Sequence, residues 1–188
     1  IRMVNCCNFN VKNLKLDGNS ENNYCYEWAL SKHERYNVIE ANFMNEHRHC
    51  LSLYDCHNAS FESIIGNNPC GDVLYLAGDD GRGGNSYLTF KLIKGESRNN
   101  QGEGRACGRN VVSVVNGNHL YFDSIYSYYV GHATMPGGFD IEPNHNSNQY
   151  CEYIEVNKLY HEGKSDVGLG VGGTVFGHVN HVIIHNAI

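Results

Sequence analysis

Proline is almost missing from this 188-residue chain, which has 3, and tryptophan (1) and methionine (3) are equally scarce. Charge is also thin, at 18% of residues, and Lys and Arg form no cluster. With Lys+Arg 14 against Asp+Glu 20, the formal net charge of −6 would repel a phosphate backbone, so nucleic acid is not an expected partner. No run approaches the roughly 18 to 20 apolar residues that span a bilayer, and Ile1-Arg2-Met3-Val4-Asn5-Cys6 lacks the pattern of a secretory signal. No membrane span is expected. Helical periodicity is nearly absent as well; the best stretch, Glu27 to Glu34, would supply one or two turns. Eight cysteines are too few for a disulfide scaffold of this length and lack zinc-finger spacing, so most are expected to be buried as small apolar side chains. The 11 histidines have no matching Cys or carboxylate arrangement, so no metal site is assigned; Ca²⁺ held by Asp side chains and Asn carbonyls stays open.

What is abundant is glycine (21) and asparagine (25), together nearly a quarter of the chain. Both tolerate positive φ, so turns must be frequent. The chain also opens without an initiator Met inside an alternating apolar pattern, as expected for a piece of a longer polypeptide.

Between the turns one pattern recurs: apolar, any, apolar, any two, apolar. It reads Phe9/Val11/Leu14, Tyr36/Val38/Ala41, Ala59/Phe61/Ile64, Leu88/Phe90/Ile93, Leu120/Phe122/Ile125, Ile154/Val156/Leu159 and Val182/Ile184/Ala187, with starts 27, 23, 29, 32, 34 and 28 residues apart. A constant unit joined by loops of varying length is the mark of a solenoid. A second set of alternating pairs, Leu51/Leu53, Leu74/Leu76, Val112/Val114, Phe139/Ile141 and Leu169/Val171, has the period of two that marks strands. An antiparallel sandwich would need hairpin turns, and the one Asn-Gly pair, Asn116-Gly117, has no hairpin symmetry around it. The expected fold is therefore all-β: a parallel β-helix solenoid of about seven coils, forming one domain over residues 1–188.

If the second strands stack, their outward positions form two columns: Ser52, Tyr75, Ser113, Asp140, Gly170 and Tyr54, Ala77, Val115, Glu142, Gly172. The expected face carries acids beside aromatic platforms. The segments Cys70-Gly71-Asp72-Val73-Leu74-Tyr75-Leu76, Gly108-Arg109-Asn110-Val111-Val112-Ser113-Val114-Val115 and Gly138-Phe139-Asp140-Ile141-Glu142-Pro143-Asn144 resemble right-handed parallel β-helix proteins of the pectate-lyase-like superfamily. That group includes phage tail-spike depolymerases and polysaccharide-processing enzymes. The resemblance implies a right-handed coil, an extracellular or virion-associated setting, a polysaccharide partner and a homotrimer. It leaves activity open, since the group contains hydrolases, lyases and adhesins.

Asp140 and Glu142 lie two apart on a strand, about 6.5 to 7 Å at roughly 3.3 Å per residue, which suits the carboxyl separation of an inverting glycosidase. One would protonate the leaving oxygen while the other activates water, and like charge would raise the pKa of one of them. Arg109, with Arg105, could hold a sugar carboxylate. Tyr75 and Tyr54 would stack on sugar rings. Asp79 and Asp80 follow an equivalent strand two coils earlier and resemble the paired aspartates of polygalacturonase-like hydrolases, but the other motifs of that family are not recognisable and a solvated turn is the leading reading. His145, His132 and His161 are candidate bases or sugar contacts near the groove. The leading expectation is a glycoside hydrolase acting as a depolymerase on an extracellular or capsular glycan. A polysaccharide lyase, in which Arg neutralises a uronate while His or Lys removes the C5 proton, is the second. A non-catalytic glycan-binding or structural tail-spike or adhesin domain is the third.

Overall fold

The computed structural model describes residues 1–19, 48–78, 84–97, 108–131, 137–143, 149–163, 168–172 and 177–188. These residues are all-β, with no helix among them, and hence none long and apolar enough to cross a membrane. The helix expected within Glu27 to Glu34 lies outside the described residues.

Two parallel sheets alternate along the chain. The six-stranded sheet contains β1 (Arg2–Val4), β4 (Leu51–Tyr54), β7 (Leu74–Ala77), β9 (Asn110–Val114), β11 (Gly137–Ile141) and β13 (Leu169–Val171), stacked in that order. The eight-stranded sheet stacks β2 (Cys7–Val11), β5 (His57–Phe61), β8 (Asn85–Glu96), β10 (Gly117–Tyr128), β12 (Tyr150–Glu162) and β14 (His178–Ala187), with β3 (Leu14–Asp17) and β6 (Ile64–Asn67) continuing its first two rungs. Each rung is one strand of the first sheet followed by its partner in the second, an arrangement compatible with a β-helix-like solenoid. Six rungs are described, one fewer than the seven sequence copies. β2 pairs directly with β5, and the Tyr36/Val38/Ala41 copy lies outside the described residues.

The register matches the repeat residue for residue. Phe9, Ala59, Leu88, Leu120, Ile154 and Val182 are successive partners, as are Val11, Phe61, Phe90, Phe122, Val156 and Ile184. The two unspecified positions in each copy mark a corner where the alternation slips by one. Phe90 and Ile93 are both fully buried, whereas Lys91 is exposed and Leu92 half-buried. These columns form one core. Since neighbouring strands must lie about 4.7–4.9 Å apart, ring must stack on ring: Phe61–Phe90 and Phe90–Phe122 have centroids 4.8 and 4.9 Å apart and planes within 16° and 8°. Of the six described cysteines, Cys50, Cys56, Cys70 and Cys151 are buried. Burial pushes the thiols of Cys50 and Cys151 up to about 12, so they behave as apolar filling.

A second column explains part of the asparagine count. Asn8, Asn58, Tyr87, His119, Tyr153 and His181 occupy one position of successive rungs, and every one has a left-handed backbone with φ between 52° and 57°. Asparagine takes this conformation most cheaply and histidine is also enriched there, whereas tyrosine does so at greater cost. The rings compensate by stacking, with Tyr87–His119, His119–Tyr153 and Tyr153–His181 centroids 4.6, 4.7 and 4.6 Å apart. His119→Val is expected to cost about 2 kcal/mol or more in thermal or urea unfolding, because a β-branched residue resists positive φ, whereas His119→Asn should cost about 1 kcal/mol or less.

Candidate functional site

The outward column of the six-stranded sheet runs as the alternation requires: Arg2, Ser52, Tyr75, Ser113, Asp140 and Gly170 are successive partners. Phe139 and Ile141 point into the core, so Asp140 between them points away from it. Yet Asp140 is only 8% exposed, and Ser113 beside it and Ser52 further along the column are buried too. Glu142, just past β11, is exposed. The two expected acids therefore share a face but differ in hydration.

Tyr75, Arg109, Ser113, Asp140 and Glu142 line one small cleft, with Val114 and Val115 as its apolar part. Its accessible space of ≈ 20 Å³ holds about one water molecule and is too small for a sugar ring. Asp140 is pushed up to about 7, first by burial and then by the charges of Glu142 and Asp72; Arg109 and a hydrogen bond from Asn110 pull the other way. Asn110 Nδ2 donates to Asp140 Oδ2 at 3.4 Å and to Ser113 Oγ at 3.0 Å.

Behind Asp140 runs a polar ladder. The Asp72 amide donates to His49 Nδ1 at 3.0 Å, the Asn110 amide to Asp72 Oδ1 at 3.0 Å, and the Gly137 amide to Asn110 Oδ1 at 2.9 Å. Each side chain thus accepts from the backbone of the next rung, at the edge of the sheet where a strand begins. His49 Nδ1 also lies 3.2 Å from Asp72 Oδ2. One nitrogen cannot accept from the amide and donate to the carboxylate together, so the two contacts are alternatives. His49 and Asp72 side chains are 2% and 0% exposed.

The expected residues sort as follows. Asp140, Glu142, Arg109 and Tyr75 come together. Tyr54 lies on the same face, its ring 6.2 Å from that of Tyr75, but it does not line the cleft. Both tyrosines are less free as platforms than expected: His49 stacks on Tyr75 at 4.1 Å and 4°, and the Arg2 guanidinium sits 4.3 Å from the Tyr54 centroid. His161 lies at the end of β12 in the other sheet, its Nδ1 3.0 Å from Ser127 Oγ, and is not among the residues that line the cleft. Asp79, Asp80, Arg105, His132 and His145 lie outside the described residues. His49 and Asn110 were missed as site neighbours. The signal was present in a polar residue two positions before the apolar pair of three successive rungs: His49 before Leu51, Asp72 before Leu74, Asn110 before Val112. Among the described residues no group of three His, Cys, Asp or Glu could hold a metal ion.

No family model, no curated protein and no solved structure matches the chain.

A carboxyl whose folded pKa stands near 7, against an ordinary 3.8, is protonated in the folded chain over a pH range where the unfolded chain has released the proton. Stability therefore falls as pH rises from about 4 to about 7. Asp140→Asn removes that penalty. At pH 8 the variant should be more stable than the parent by up to about 4 kcal/mol, and near pH 4 the gain should vanish, as urea unfolding at both pH values would measure.

Proposed function

We propose that the two parallel sheets are faces of a right-handed parallel β-helix, and that the outer face of the six-stranded sheet engages and cleaves an extracellular or capsular polysaccharide. The observation that carries this reading is the contrast between the two acids. Asp140 is buried and keeps its proton to about pH 7, whereas Glu142, two residues on, meets solvent, with room for about one water in the cleft they line. That is the division of labour an inverting glycosidase needs, one carboxylic acid to donate and one carboxylate to activate water. In this reading Asp140 protonates the glycosidic oxygen and Glu142 takes a proton from the attacking water. Arg109 sits where it can hold a sugar carboxylate, and the chain lies over the cleft, since no ring fits within it. Asn110 fixes the Asp140 carboxyl from behind.

An extracellular or virion-associated setting and a homotrimer belong to the same proposal through the resemblance to tail-spike depolymerases. Ca²⁺ remains a cofactor to be tested by adding and chelating it. A structural, non-catalytic role is favoured by one observation: Tyr75 and Tyr54 are already engaged by His49 and Arg2, as structural residues would be.

Reducing-end release from acidic capsular polysaccharides tests the proposal. Asp140→Asn and Glu142→Gln should each lower the rate at least 100-fold with the fold retained. The parent rate should fall as pH rises through about 7, when the acid loses its proton. Products absorbing in the ultraviolet as unsaturated uronates would mean a lyase instead, and full activity in both variants would remove these residues from the chemistry.

A further inference from the structure

The second half of β8, β10 and β12 turns a different face outward. There Lys94, Tyr126 and Tyr160 are successive partners, and Glu96, Tyr128 and Glu162 are the next column. They alternate with the core residues Ile93, Ile125 and Leu159, so this face belongs to the eight-stranded sheet and none of it lines the Asp140 cleft. The Tyr126, Tyr128 and Tyr160 side chains are half-exposed. The rings of Tyr126 and Tyr128 are parallel to within 2° with centroids 6.3 Å apart, and Tyr160 adjoins both at 6.2 and 5.4 Å.

Two ammonium groups rest on this aromatic surface, Lys94 Nζ 5.0 Å from the Tyr128 centroid and Lys158 Nζ 5.1 Å from that of Tyr126. Lys94 also reaches Glu96 at 3.1 Å, and Glu162 accepts from the Tyr160 hydroxyl at 3.0 Å. A solvent-side cation–π contact is worth about 0.5–1 kcal/mol, so a ligand that offers the ring an apolar face and the ammonium a carboxylate replaces it at little cost.

The geometry points to a second glycan-binding surface, specific for uronic-acid-containing chains, in which Tyr126, Tyr128 and Tyr160 take the C–H faces of the sugars and Lys94 and Lys158 swing off the rings to pair with their carboxylates. It rests on the reading of this protein as polysaccharide-binding, but not on Asp140 chemistry. The lysines set the preference for acidic over neutral sugars, and Glu96, released by Lys94, accepts from hydroxyls, while Glu162 stays held by the hydroxyls of Tyr129 and Tyr160.

Titration calorimetry with oligogalacturonate, with neutral maltohexaose as control, tests it, together with the ring resonances of labelled tyrosine. The acidic oligomer should bind at least tenfold more tightly than the neutral one and shift Tyr126, Tyr128 and Tyr160. Tyr126→Leu with Tyr160→Leu should weaken binding at least tenfold. Lys94→Gln with Lys158→Gln, two partly exposed changes that leave the core intact, should abolish both the acidic preference and the loss of affinity with added salt in the binding that shifts these tyrosines. Binding unchanged in both pairs, or no binding and no tyrosine shifts in the parent, would overturn the assignment. Asp140→Asn separates the two proposals: it should stop cleavage and leave this binding as it was.

Discussion

Neighbouring strands of a parallel ladder lie about 4.7–4.9 Å apart, and every other feature of this protein answers to that spacing. A residue in one rung has no choice of neighbour above or below it, since the backbone hydrogen bonds fix which positions meet. Apolar positions therefore build continuous columns, and phenylalanines stack nearly parallel although offset or edge-on pairs suit them better elsewhere. Polar positions must find their hydrogen bonds along the same vertical. Asn85 does so inside the turn between the sheets, its Nδ2 donating to the carbonyls of Leu53 at 3.1 Å and Ala77 at 2.6 Å while Oδ1 accepts from the Cys56 amide at 3.1 Å. His49, Asp72 and Asn110 do so at the opposite edge of the six-stranded sheet.

Stacking also generates the conflict at Asp140. Its column neighbours Ser113 and Gly170 are small and carry no opposite charge, while Glu142 and Asp72 add negative charge nearby. A carboxyl in that position is held as an acid, at a cost in stability that grows toward neutral pH. Structure alone gains nothing from such an arrangement, and this is why the cleft, small as it is, is the place to look for chemistry.

The spacing of apolar residues was enough to read the ladder. The copies at Ala59, Leu88, Leu120, Ile154 and Val182 met in the register their pattern required, and the outward columns through Ser113, Asp140 and Gly170 followed from alternation. Alternation gives the side a residue faces and not its depth, so the burial of Asp140 was invisible. Contacts between residues far apart in the chain were equally out of reach: nothing near Tyr54 in sequence indicates that Arg2 will cover its ring. Nor could the left-handed column be read beyond Asn8 and Asn58, because Tyr87, His119 and Tyr153 carry no local sign of positive φ. Their stacking partners, which offset the strain, lie a whole rung away.

Vertical adjacency itself is most directly tested by a disulfide between rungs. Tyr121 and Glu155 are direct partners on β10 and β12, both outward-facing and exposed. Cysteines placed at both should bridge spontaneously in air, seen as a linked peptide by mass spectrometry, and should raise stability by about 4 kcal/mol for a closed loop of about 35 residues. The pair Asp123→Cys with Glu155→Cys, displaced by two positions and thus about 8 Å apart, should stay open. Equal bridging in both pairs, or bridging only in the displaced one, would contradict the stacked register on which the cleft and both proposed glycan surfaces depend.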